Sequence, residues 1–329
     1  MFKGCFYVCL NDGLRIYNVE PLVEKMHLDN ASVGSIVHCE MVYRCNLFAI
    51  VGGGQQPKYA SNAVLIYDDI RKRPVLEFAF AQPVLSIKCR RDRLVAVLKT
   101  EVHIFSFPNH PKKLFSVSTR SNPHGLCELS PGIKNVVVFP GLQVGSVEIL
   151  DLSKPEWSDP SSGKTPANIH AHQGELACFS INNSGSLIAT ASDKGTLIRV
   201  WDLLKLVLLN ELRVGFSSAI LHSINFSVNS DLLCCSVDVG NIHIFDLKTT
   251  HLNRPSTWGF FGKYMESQWA LANFTVTPEC VCICAFESDS SVVALCKDGT
   301  IHRYAFTSGG ESRRLSFDAF LDICGDEGL

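Results

Sequence analysis

At 329 residues, with 46% apolar and 19% charged side chains, the chain has the make-up of a folded protein: two average domains or one large repeat fold. A net charge of −2 without a long like-charge run argues against nucleic-acid binding through bulk charge, so any anion recognition must come from a local cluster. No apolar run approaches the roughly eighteen residues of a membrane-spanning helix, and CFYVCL is cut off by Asn11-Asp12-Gly13 before it can act as a signal core, so a cytoplasmic protein is expected.

Read along the chain, one phrase recurs: LRIYN (14–18), VLIYD (64–68), VHIFS (102–106), VEILD (147–151), IRVWD (198–202), IHIFD (242–246) and IHRYA (301–305). Measured at Tyr17, Tyr67, Phe105, Leu150, Trp201, Phe245 and Tyr304, the steps are 50, 38, 45, 51, 44 and 59 residues, the length of one four-stranded blade each. An apolar β-rich run and a tight turn precede the later phrases: LIATAS before Asp193-Lys194-Gly195, LLCCSV before Asp238-Val239-Gly240, and SVVALC before Lys297-Asp298-Gly299. Strand, turn, strand is a hairpin signature, and no helical period of useful length competes with it. The pattern predicts an all-β, WD40-like, seven-bladed β-propeller as a single domain over 1–329. Its start is short: either the first blade lacks its inner strand, or RRLSFDAFLDI (313–323) supplies one.

The fourteen cysteines lie mostly in apolar runs such as LLCCSV and CVCIC, where reduced thiols act as small buried hydrophobes. Cys280, Cys282 and Cys284 alternate, but no C-x-x-C pair occurs, so packed thiols are expected and no metal. His170-x-His172 is weak evidence for a metal pair, since two histidines come without a further carboxylate or cysteine ligand beside them. Gly52-Gly53-Gly54 lacks the phosphate-loop spelling, and neither a serine nucleophile elbow nor a paired acid site is present, so neither an enzyme nor a cofactor is expected.

The runs RIYNVEPL (15–22), CEMVYRCNLFAIVGGGQQPKY (39–59), KLFSVSTRSNPHGLC (113–127), SDKGTLIRVWD (192–202), ELRVG (211–215) and SQWALANFTVTPECVCICAF (267–286) resemble the PROPPIN family of phosphoinositide-binding propellers, among them the WD-repeat proteins of autophagy. The resemblance spans nearly the whole chain. It implies a non-enzymatic cytosolic effector that binds phosphatidylinositol 3-phosphate and the 3,5-bisphosphate, sits peripherally on preautophagosomal membranes, and engages an autophagy lipid-transfer protein. It also implies two head-group pockets, each served by one arginine of an L/F-R-R-G motif.

In this chain that motif reads Leu212-Arg213-Val214-Gly215. By correspondence, His172, Ser192, Lys194, Thr196, Arg199 and Arg213 form the first pocket, where a guanidinium fork, hydroxyls and backbone N–H groups suit a phosphomonoester. Arg213 is expected to face outward at a strand end on the rim. Arg199 has an alternative reading, since arginine in I-R-V-W-D also caps or packs between blades. The second pocket reads as degenerate: Val214 replaces the arginine, leaving Ser236, His243 and Arg254. Charge-assisted hydrogen bonds contribute on the order of 1.5–3 kcal/mol each, so the loss of an arginine and a lysine weakens such a pocket by about a hundredfold or more. Trp258, Phe260, Phe261 and Tyr264, flanked by glycines and cations, suit insertion at a lipid interface or packing beneath a loop. A protein-binding scaffold without lipid affinity is the competing reading.

Overall fold

The computed structural model describes residues 4–43, 45–153, 166–255 and 267–323. The chain divides into two compact units, one built on residues 1–129 and the other on 130–153 and 166–321. The first unit opens with a three-stranded sheet, β1 (Cys5–Leu10), β2 (Gly13–Asn18) and β3 (Val23–Asp29), followed by one helical turn, α1 (Asn30–Val33). The second sheet holds β4 (Gly34–Met41), β5 (Leu47–Pro57), β6 (Ala63–Asp68) and β7 (Arg73–Ala79). The third holds β8 (Ser86–Cys89), β9 (Arg93–Val97), β10 (Glu101–Ser106) and β11 (Lys113–Ser118), and the short β12 (Glu128–Leu129) ends the unit.

The second unit continues with β13 (Val136–Pro140), β14 (Ser146–Asp151) and β15 (Ala167–His170) as its first, and overall fourth, sheet. The fifth sheet has β16 (Leu176–Ile181), β17 (Leu187–Ser192), β18 (Leu197–Asp202) and β19 (Val207–Arg213). β20 (Leu221–Phe226), β21 (Leu232–Val237) and β22 (Asn241–Asp246) begin the sixth. The chain then runs back to add β23 (Arg254–Pro255) and β24 (Gln268–Trp269) to the edge of the fifth, before β25 (Ala272–Thr275) completes the sixth. The seventh is β26 (Cys282–Ser288), β27 (Ser291–Cys296), β28 (Thr300–Phe306) and β29 (Ser312–Ala319).

All seven phrases fall in corresponding strands, β2, β6, β10, β14, β18, β22 and β28, each antiparallel to both neighbours. Local chemistry explains this. A β-rich run can bury both faces only between two other sheets, and the glycine-containing turns reverse the chain at the required points. In β21, Leu232 and Cys234 pack with the seventh sheet, while Leu233, Cys235 and Val237 pack with the fifth. In the first unit the first and second sheets share one core around Leu14, Ile50 and Tyr67, and the second and third share another around Ile66, Leu94 and Phe105.

Of the two alternatives for the short start, the first holds: the first sheet has three strands, and residues 312–319 pair antiparallel with β28 as the outer strand of the seventh sheet. The cause is the tight turn at Thr307–Gly310, closed by the Gly310 N–H to the Thr307 carbonyl at 3.0 Å, with Gly310 at φ 83°. It folds the chain directly back onto β28.

The shared cores carry the stability. Phe245 is wholly buried between the fifth and sixth sheets. Phe245→Ala is expected to cost about 3–5 kcal/mol of unfolding free energy, read as a lower urea midpoint at unchanged slope.

Candidate functional site

The turn between β17 and β18 is built on Gly195. It sits at φ +63°, and a Cβ there would lie 1.7 Å from the Ala219 carbonyl oxygen, so no other residue fits without displacing the backbone. The Gly195 N–H closes the turn on the Ser192 carbonyl at 2.9 Å, and the Ala219 N–H reaches the Lys194 carbonyl at 3.2 Å. Across the hairpin, Arg213 is the partner of Leu197, and the Val214 N–H donates to the Thr196 carbonyl at 3.0 Å. Residue 213 therefore lies at the end of β19 beside the 192–196 turn. Lys194 is exposed there, and Ser192 and Thr196 are half-buried.

Behind the turn lies a polar stack. His172 Nε2 is 3.0 Å from the Thr190 hydroxyl, which also accepts the Trp201 indole N–H at 3.2 Å and donates to the Arg199 carbonyl at 3.3 Å. Burial, then the Arg199 charge, push the His172 imidazole down to about 4, so it is neutral at neutral pH. Arg199 Nε donates to Glu211 Oε2 at 2.9 Å, and Nη1 donates to the Ala171 carbonyl at 2.7 Å. These bonds engage a guanidinium that the sequence assigns either to the first pocket or to packing between blades. This arginine ties β18 to its outer neighbour and to the segment after β15.

Arg213 departs from expectation in another way. It does not face outward: only 5% of it is exposed. Its Nε donates to the Ser267 hydroxyl at 3.0 Å, and its guanidinium carbon stands 5.9 Å from the centre of the Phe216 ring. The cover comes from the hairpin added to the edge of the fifth sheet, where β24 pairs in parallel with Leu212 and Arg213 and Trp269 packs on Phe216 at 4.8 Å. Sequence reading missed Ser267 and Trp269 because they lie more than fifty residues downstream of Arg213, one just before and one on a strand only two residues long. Glu211 carried a signal: it stands opposite Arg199 in the hairpin register, where opposite charges pair.

Ser236 and His243, both assigned to the second pocket, lie on opposite faces of the sixth sheet. Val214 is buried with Ala191, Leu221, Val237 and Ala270 in the core between the fifth and sixth sheets. Ser236, fully buried, donates to the Cys282 carbonyl at 2.6 Å and lies 2.9 Å from the Ser223 hydroxyl, on the face turned to the seventh sheet. His243 pairs with Cys235 and so lies on the opposite face, where burial pushes it down to about 4. The backbone of Arg254 pairs with Trp269 in the hairpin of the fifth sheet. Alternation of side chains across a strand separates Ser236 from His243, because their strands pair at Ser236–Ile242. Trp258, Phe260, Phe261 and Tyr264 lie outside the described residues, in the segment bracketed by β23 and β24. Among the described residues, no helix is long and apolar enough to cross a membrane.

Seven sheets carrying the same phrase in the same strand define a seven-bladed β-propeller. The PROPPIN family model matches residues 8–295, and the chain belongs to this family of non-enzymatic, phosphoinositide-binding propellers of autophagy. It is similar to SVP1-like protein 2 of Pichia angusta, 31% identical over 319 residues covering 92% of this chain and 88% of that one. It is 30% identical to Autophagy-related protein 18e of Arabidopsis thaliana over 97% of this chain and 85% of the relative. Among solved structures, Kluyveromyces lactis Hsv2 superposes with a TM-score of 0.78 at 20% identity, covering 97% of this chain and 98% of that one.

Two outcomes are expected. Val214→Arg places a charge among apolar side chains, so it should destabilise the protein by about 3 kcal/mol or more without adding a second head-group site, as read by thermal unfolding with and without soluble head group. The pH dependence follows chiefly from the two histidines depressed furthest, His172 and His243. Both sit at about 4 in the folded chain against an ordinary 6.5, so between those values the unfolded chain binds more protons. Stability from this source is complete above pH 6.5 and is lost as pH falls toward 4. A variant carrying His172→Asn and His243→Asn should show a flatter dependence in urea titrations across that window.

Proposed function

We propose that this PROPPIN binds a 3-phosphorylated phosphoinositide, phosphatidylinositol 3-phosphate or the 3,5-bisphosphate, through a single site at the end of the fifth sheet. The observation that carries the reading is the meeting of Arg213 with the Ser192–Thr196 turn. That turn offers an exposed ammonium at Lys194 and hydroxyls at Ser192 and Thr196 beside a guanidinium, the donor set a phosphomonoester takes. His172 and Arg199 frame this site from within the sheet. A second site is absent from the proposal because Val214 and Ser236 are core residues.

On this reading the chain acts as one propeller over 1–329, held peripherally on preautophagosomal membranes. The aromatic segment containing Trp258, Phe260, Phe261 and Tyr264 adds apolar anchoring, and other edges present an autophagy lipid-transfer protein to the membrane. One specific observation favours the competing reading of a scaffold that binds only proteins. Arg213 is covered and bonded to Ser267, and Arg199 is paired with Glu211, so phosphate must displace or join existing partners.

Vesicle flotation separates the two. Recovery should require phosphatidylinositol 3-phosphate and should be lost in Arg213→Ala. Lys194→Ala, a change at an exposed position, should weaken binding about tenfold or more without moving the melting temperature. Titration with soluble head group should saturate at one per chain. Equal recovery on vesicles lacking the lipid would favour the scaffold, and two equivalent sites would refute the single-site reading.

A further inference from the structure

Three side chains able to ligate a metal converge at one end of the seventh sheet: Cys280, Cys296 and Asp298, whose donor atoms all lie within 4.8 Å of one another. Cys280 precedes β26, Cys296 ends β27, and Asp298 stands in the turn to β28. The antiparallel register pairs Cys282 with Cys296, which carries Cys280 alongside the 297–298 turn, and the Lys297 N–H secures it on the Val281 carbonyl at 2.8 Å. We propose that these three side chains form a zinc site, with a fourth coordination position open to solvent.

The donor set is two sulfurs and a carboxylate, which suits zinc rather than calcium or magnesium. With Zn–S near 2.3 Å and Zn–O near 2.0 Å, tetrahedral ligands stand roughly 3.5–3.8 Å apart. Donors already within 4.8 Å reach that spacing by small side-chain rotations. Cys296 is buried, Cys280 half-buried and Asp298 exposed, so an ion has an entry path and room for a water ligand.

The surroundings resemble an outer shell built for these groups. The Cys280 thiol donates to the Val281 carbonyl at 3.6 Å, the same carbonyl that accepts the Lys297 N–H. Asp298 Oδ1 accepts the Thr300 N–H at 3.0 Å and the Thr300 hydroxyl at 2.6 Å, which orients the carboxylate. Metal entry releases two protons: each S–H bond is replaced by a Zn–S bond, the protons pass to solvent, and no electron changes hands. The motif was hidden in the sequence because it is a Cys-x-Asp turn plus a cysteine sixteen residues earlier, with no C-x-x-C.

Cobalt(II) is the spectroscopic probe, added to the full chain under reducing conditions after chelator treatment. One equivalent should give thiolate-to-cobalt charge-transfer absorption with tetrahedral d–d bands, and one equivalent of zinc should bleach them. Cys280→Ser should remove about half of the charge-transfer intensity, one of two thiolates being lost. Asp298→Asn and Thr300→Val should each weaken affinity about 10–100-fold. Cys45→Ser, which removes an exposed thiol, should change nothing. Circular dichroism checks that each variant is folded. Weak octahedral bands, non-saturating binding, or tetrahedral bands that survive in folded Cys280→Ser or depend on Cys45 would overturn the site.

Discussion

Burial of both faces of the middle strands is the constraint on which the rest of this structure depends. β21 shows it most simply: six consecutive residues are buried, and odd and even positions belong to two different cores. Apolar side chains meet the condition without further help. A polar one has to find its partner in the next sheet, which is why the Ser223 and Ser236 hydroxyls lie together and both engage the backbone of β26, through the Cys284 N–H and the Cys282 carbonyl. Chemistry open to solvent is thereby pushed to strand ends and turns, where the 192–196 turn and the 296–298 turn both lie.

The same constraint decides what could be read from the sequence. All seven repeated phrases mark corresponding strands, because strand period and turn chemistry are local properties that a few residues specify. Parity was also available. The short turn Asp238-Val239-Gly240 sets Ser236 against Ile242, and that alone puts Ser236 and His243 on opposite faces. Grouping them by family correspondence overrode a register that the residues themselves contained. The fate of the C-terminal stretch was legible for the same reason, since Thr307–Gly310 is a hairpin turn and hairpin turns return the chain to its own neighbour.

What stayed illegible depends on contacts distant in sequence. Nothing near Arg213 announces that a two-residue strand more than fifty residues later will pair beside it and bring Ser267 to its Nε. Arg199 lies between these extremes. Its partner Glu211 is close in the hairpin, yet its second contact, the Ala171 carbonyl, comes from the segment between two other strands. An arginine followed by an apolar strand phrase is therefore ambiguous until the register of the outer strand is known.

The two positions of the Leu212-Arg213-Val214-Gly215 run show how one strand end serves opposite demands. Side chains at 213 and 214 leave on opposite faces, so one enters a polar joint between β19 and the added hairpin while the other closes an apolar core. An arginine at 214 needs a carboxylate or phosphate opposite it, and the wall it meets is Ala191, Leu221, Val237 and Ala270. Val214 and the hydrocarbon around it thus fit one another. A propeller with one head-group site lacks the gain that two linked sites obtain through effective concentration. On the proposed function its hold on a membrane has to draw on apolar contacts beside the single phosphate, and β23 and β24, which bracket the aromatic segment in sequence, are joined to the sheet at Arg213 itself.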